Sequence, residues 1–162
     1  MEDIKRLESP EEHLSSSSST DVTIRFSDSA QVKIILKAPT LERFTEEEIP
    51  YDLMPNGLMI EFLDSIGNLE AQVVCNYAIH YPKSNILELS NDVVVFNQLG
   101  DQLNSERLIW NADTQKISSE DFVKITTKDE IIYGDGFVAN QDFTDYEISH
   151  IKGIISIEDE DI

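Results

Sequence analysis

The chain has 162 residues, 40% of them hydrophobic, which suits one domain with short ends. Its 32 Asp and Glu against 12 Lys and Arg leave a net charge of −20. That excludes a protein that neutralises nucleic-acid phosphates and disfavours docking on an anionic membrane by charge, so a ligand has to be held by apolar burial or backbone pairing.

Residues 1–20 are charged and then serine-rich, with five serines in a row from Ser15 to Ser19. Residues 2–14 read as a frayed amphipathic turn or two and the serine run as flexible linker, so residues 1–20 form a tether. Order is expected from Asp21. Val22, Ile24 and Phe26 alternate with Thr23, Arg25 and Ser27, the mark of a half-buried strand. Asp28-Ser29-Ala30 turns the chain into a second strand carrying Val32, Ile34, Leu36 and Ala38, so Arg25, Lys33 and Lys37 lie on the wet face. Pro39 and the acidic run Glu46-Glu47-Glu48 read as an irregular excursion. Alternation returns at Leu58, Ile60 and Phe62, and residues 64–68 make the next turn.

The second half repeats. Val73-x-Cys75-x-x-Ala78-x-His80, Leu103-x-Ser105-x-x-Leu108-x-Trp110 and Ile132-x-Gly134-x-x-Phe137-x-Ala139 share one pattern of apolar or small residues at i, i+2, i+5 and i+7. A helix keeps i, i+3, i+4 and i+7, and a flat strand keeps one parity. A flip in mid-strand predicts a bend or bulge, where one extra residue re-aims the side chains that follow. Each copy runs into a polar turn (residues 82–85, 111–114, 140–142) and a second strand, so the unit is a hairpin of long bent strands. The last strand carries Ile148, Ile151, Ile154, Ile155 and Ile157 around Gly153, and residues 158–162 are an acidic tail.

Such hairpins bury a face only by sharing a core with their neighbours, and bends fold them into two layers. The expectation is an all-β domain over residues 21–157 with ten or eleven strands, an open jelly roll built as a half-barrel. Val73, Ala78, Leu108, Trp110, Ile117, Val123, Ile125 and Phe137 should face inward. An open sheet also leaves an edge. The last strand has no proline and a single base, Lys152, so Ile148, Ile151, Gly153, Ile154 and Ile155 are the expected partner-binding edge.

No catalytic set emerges. His13, His80 and His150 are scattered, without metal-ligand spacing to Cys, Asp or Glu. His80, in the slot that holds Trp110 in the next copy, reads as packed or rim-facing. Cys75 reads as a small buried side chain. Gly134-Asp135-Gly136 lacks the third glycine and helix of a phosphate loop, and Asp135, Asp142 and Asp145 lack calcium-loop spacing. The carboxylates offer no distinguishable glycosidase pair. No cofactor or metal is expected, and the chain reads as a non-enzyme.

The run Gly100-x-x-Leu103-x-Ser105-x-x-Leu108-x-Trp110-Asn111, with Lys116-Ile117 and Val123-x-Ile125, resembles the repeat of the lipopolysaccharide-transport jelly rolls. Ile132-Tyr133-Gly134-Asp135-Gly136-Phe137-x-Ala139-Asn140-x-Asp142-Phe143, closing on Gly153, is similar to the LptC family in particular. Ser27-Asp28-Ser29, Lys37-Ala38-Pro39 and Asn56-Gly57 fit as well, so the resemblance covers residues 21–157. It implies a periplasmic jelly roll held at the inner membrane by an N-terminal helix or lipid, with residues 1–20 as the tether left when that anchor is removed. It also implies a place in lipopolysaccharide export. The lipid would be accepted from LptF and LptG with the ATPase LptB and passed to an LptA-like jelly roll, and the eight inward residues would touch lipid A acyl chains. Two other readings stand beside it: a scaffold module whose repeats enclose a filled core, and a carbohydrate-active β-sandwich. A cavity in place of a filled core separates carrier from scaffold.

Overall fold

The computed structural model describes residues 15–157. The amphipathic turns expected over residues 2–14 and the acidic tail over 158–162 lie outside the described residues. Eleven strands, and no helix, occur among the described residues: β1 (Ser17–Asp28), β2 (Gln31–Phe44), β3 (Tyr51–Met54), β4 (Leu58–Leu63), β5 (Leu69–Cys75), β6 (Tyr77–Tyr81), β7 (Ile86–Asn97), β8 (Gln102–Asn111), β9 (Lys116–Thr126), β10 (Glu130–Asn140) and β11 (Tyr146–Ser156). All pair antiparallel in one open sheet. The expected all-β, open jelly-roll architecture is what the chain adopts.

The pairing reduces to a meander of bent strands. β3 and β4 are two halves of one strand broken at residues 55–57, and β5 and β6 are two halves of another broken at Asn76. β3 pairs with residues 42–44 of β2 and β4 with residues 34–37. In the same way β6 pairs with residues 86–90 of β7, and β5 with residues 94–97. Beyond β7 each strand neighbours the next in sequence. The sheet folds along the line of bends, so each strand gives one half to each of two facing layers.

The bends have local causes. Pairing shifts register between Ser90 and Val93, between Ser118 and Val123 and between Tyr133 and Gly134. Asn91 and Asp92 turn β7 through left-handed backbone, with φ of +67° and +58°. β10 uses glycine for two distinct reasons. Gly136 has φ +78°, whereas a Cβ at Gly134 would stand 2.6 Å from Ile148 Cγ2 and 2.7 Å from the His150 carbonyl oxygen.

Burial follows the i, i+2, i+5, i+7 spacing on β8 (Leu103, Ser105, Leu108, Trp110) and β10 (Ile132, Gly134, Phe137, Ala139). The returning strands use i, i+2, i+6, i+8: Leu87, Leu89, Val93 and Val95 on β7, and Ile117, Ser119, Val123 and Ile125 on β9. Asp52, Met54, Leu58 and Ile60 repeat that second spacing across β3 and β4.

Two expectations about the N-terminal region change. The strand begins at Ser17, so Ser17–Ser19, read as linker, pair with residues 41–43. Asp21, with φ +54°, is the bend of β1 and not its start. β2 likewise runs through Pro39 to Phe44. Pro39 sits where pairing jumps from Ala38–Val22 to Thr40–Thr20, so its missing N–H interrupts no ladder bond.

Candidate functional site

Residues paired across antiparallel strands point to the same face, so the registers trace rows through the interior. One row runs along the mouth of the fold, where the layers come apart at their turns. It reads Arg43, Asp52, His80, Leu87, Trp110, Ile117, Ala139, Tyr146 across seven consecutive pairings. Opposite it, on the other layer, lie Phe26, Ile34, Phe62, Ala71 and Asn97. The first row changes character along its length, from three polar side chains to an apolar remainder.

The polar end encloses space. A cavity of about 260 Å³ lies between the layers, walled by Ile24, Phe26, Ile34 and Leu36 on one side and by Leu41, Met54, Leu87 and Trp110 on the other. Arg43, Asp52, His80 and Asn85 form its rim. Asp52 is buried, with Arg43 Nε 3.8 Å from one carboxylate oxygen and His80 Nδ1 3.4 Å from the other. His80 Nε2 stands 3.3 Å from Asn85 Oδ1, and Asn85 in turn donates to Asp113 Oδ1 at 3.0 Å. A buried carboxylate needs such partners, and they hold the rim side chains along the wall and off the lumen. A wider depression of about 500 Å³ lies at the bend near Asp21, Lys37, Pro39 and Asn56, but it is open to solvent and less able to exclude water from a ligand.

The apolar end is filled. Leu103, Leu108, Val123 and Ile125 have no exposed surface. Phe143, from the turn between β10 and β11, inserts into the mouth against Phe137 and Tyr146, with ring centroids 5.9 and 5.2 Å away. It is fully buried at φ +59°, a backbone region that a bulky side chain rarely occupies. From the facing layer, buried Asn97 donates from Nδ2 to the Phe143 carbonyl at 2.6 Å. The same turn is tied to the middle of the row, because Trp110 Nε1 donates to Gln141 Oε1 at 3.0 Å. Trp110 also meets Phe62 edge-on across the mouth at 5.3 Å. Near this junction, burial and the negative charge of Asp142 push the Glu70 carboxyl above its ordinary range.

All eight residues expected to face inward belong to one buried cluster: Val73, Ala78, Leu108, Trp110, Ile117, Val123, Ile125 and Phe137. Only Trp110 lines the cavity; the other seven are packed shut. Asp52 and Arg43 escaped the sequence reading. Yet Leu36-x-Ala38-x-x-Leu41-x-Arg43 is a further copy of the repeat, hidden because Pro39 looked like a break. Cys75 is buried, its thiol donates to the Tyr77 carbonyl at 3.3 Å, and desolvation pushes its pKa up.

β11 is an edge strand, paired on one side only among the described residues. Ile151 pairs with buried Gly134 and Ile154 with buried Ile132, so both extend interior rows. They nevertheless stand 56% and 54% exposed, where no further strand covers them. Ile148, paired with Phe137, is half-buried against the core. Ile155 pairs with Ile131 on the outer face, and a Cβ at Gly153 would meet no atom within 4 Å. Lys152 pairs with Asp135 at 2.7 Å.

Residues 3–155 match the model of the family described as "Lipopolysaccharide-assembly, LptC-related". The chain belongs to the LptC family. Membership makes it a component of lipopolysaccharide transport, a family of periplasmic proteins associated with the inner membrane. No helix of the described residues is long and apolar enough to cross a membrane. No curated protein matches the chain.

Proposed function

We propose that the domain is a non-enzymatic bridge in lipopolysaccharide export, which holds acyl chains between its layers and passes them to the next jelly roll along β11. The observation that carries the reading is the interior itself. It is hollow at the β1–β3 end, and its apolar rows continue to exposed Ile151 and Ile154 at the opposite edge. A strand added to β11 would satisfy its unpaired backbone and cover both isoleucines, joining two inner faces into one groove. Lipid would enter from the inner-membrane transporter, LptF and LptG with LptB, at the β1 side. Trp110 is the inward residue within reach of a chain in the resting form; the remaining seven meet lipid once the layers part. An N-terminal anchor would keep the domain beside the transporter. The hollow end favours a carrier over a scaffold with a filled core.

Photocrosslinking in cells tests the lipid path. A photoreactive residue at Ile24 or Trp110 should label lipopolysaccharide, and one at exposed Glu106 should not; equal labelling would refute the path. Gly153→Arg tests the junction, because the fold has room for the new side chain while an approaching strand does not. The folded variant should lose the LptA-like partner and keep lipid uptake. Unchanged partner affinity would place the junction elsewhere.

A further inference from the structure

The cavity is small for its cargo. At about 260 Å³ it falls below the ~300–1,000 Å³ of ordinary small-molecule pockets, and so has room for one alkyl chain and not for a lipid carrying several. A larger occupant needs the layers to separate at the mouth. Among the described residues, two contacts that span that mouth differ in kind. Trp110 against Phe62 is an apolar contact beside the cavity, able to slide over an incoming chain. The second is the insertion of Phe143 beneath Asn97, which shuts the half of the lumen that leads to β11.

We propose that Asn97 and the Phe143 turn form a clasp that determines what the lumen admits. Closed, it leaves space for a single acyl chain at the β1–β3 end; released, it lets the layers part and admits a multi-acyl lipid through to β11. The inference rests on the acyl-chain reading of the cavity given above.

The construction suits a part that opens. The turn is held together from within: Asn140 Oδ1 accepts from the Thr144 and Asp145 N–H groups, and Asp142 accepts from Thr144. It can therefore swing as a unit. Asn97 remains anchored when the turn departs, because its Oδ1 caps the Leu99 and Asp101 N–H groups of its own turn at 3.0 and 2.9 Å. Only its Nδ2 crosses to the other layer. Trp110, the one tryptophan in the chain, is bonded to Gln141 of the moving turn and so reports release by its fluorescence.

Two variants of the full chain separate the clasp from general packing. Phe143→Ala removes the inserted ring. Asn97→Asp removes the donor to the Phe143 carbonyl, retains the oxygen that caps Leu99 and Asp101, and sets a carboxylate against that carbonyl. Stopped-flow Trp110 fluorescence then follows two probes, laurate and purified lipopolysaccharide. Both variants should take up and release lipopolysaccharide about tenfold faster than the parent, the effect of a modest fall in the opening barrier. Laurate affinity should stay unchanged, which a merely loosened fold would not give. If Phe143→Ala fails to fold, Asn97→Asp alone decides. Unchanged or slower lipopolysaccharide kinetics with normal laurate binding would overturn the clasp. Failure of the parent protein to bind laurate would instead overturn the acyl-chain reading of the cavity.

Discussion

The β1–β3 end and the β8–β11 end of this domain are built on the same repeat and fill it differently. In both, bent strands present two inward positions on each side of a bend, and pairing carries those positions around the sheet in continuous rows. At the mouth, the row begins with Arg43, Asp52 and His80 and continues with Leu87, Trp110 and Ile117. The polar three bond one another along the wall and leave a cavity above Leu41 and Met54. The apolar remainder closes over itself and is capped by Phe143. The lesson is that a repeat specifies a container, while the chemistry of one row decides whether the container is empty.

The largest expected effect tests whether the two ends differ in packing. Leu108→Ala, at a site with no exposed surface, should cost about 2–5 kcal/mol in urea denaturation. Ile24→Ala, on the cavity wall, should cost about 1 kcal/mol or less, because its half-buried side chain has less transfer energy to lose. Equal costs would dissolve the distinction.

Converting one end into the other comes next. His80→Trp copies the Trp110 side chain into the polar part of the same row and should fill the cavity. Laurate affinity should drop by roughly tenfold, about 1.4 kcal/mol, while the unfolding midpoint falls because buried Asp52 loses one of its two partners. Undiminished laurate binding would mean that the cavity is not where the chain sits.

The boundary between the two ends predicts a smaller, pH-dependent effect. Burial, and then Asp142 and Asp64, raise the Glu70 pKa in the folded state. The folded protein thus binds this proton more tightly than the unfolded chain does. Stability from Glu70 is fully present below the unfolded pKa and is lost as pH rises through the folded one. Glu70→Gln should therefore raise Tm slightly at neutral pH, with the gain vanishing as pH falls below the ordinary carboxylate range. A gain independent of pH would point to a cause other than charge.

The smallest effect is expected at Lys152→Ala. Its ion pair with Asp135 is short but exposed, and its loss should cost about 0.3 kcal/mol or less, vanishing in high salt. A larger loss would show that charge, beside packing, holds the β11 edge.

Much of this molecule was legible in one dimension, because local sterics and alternation act over a few residues. The threefold i, i+2, i+5, i+7 pattern showed bent strands, two layers and the inward set from Val73 to Phe137, and Ile148 to Ile157 announced an unprotected final strand. The serines at Ser17–Ser19 hid half a strand, since they have no apolar alternation and are held by pairing to β2 alone. Pro39 hid another half for the opposite reason: a local breaker becomes harmless where the ladder to the neighbouring strand is interrupted, between Ala38–Val22 and Thr40–Thr20. What only the tertiary structure decided was the neighbourhood of side chains far apart in the chain. Arg43, Asp52 and His80 form one row, and Asn97 reaches Phe143, 46 residues further along the chain. Periodicity says which way a side chain points. Whether it meets a partner, an empty cavity or an aromatic plug depends on register between strands and on how the two layers close, and neither is written in any single segment.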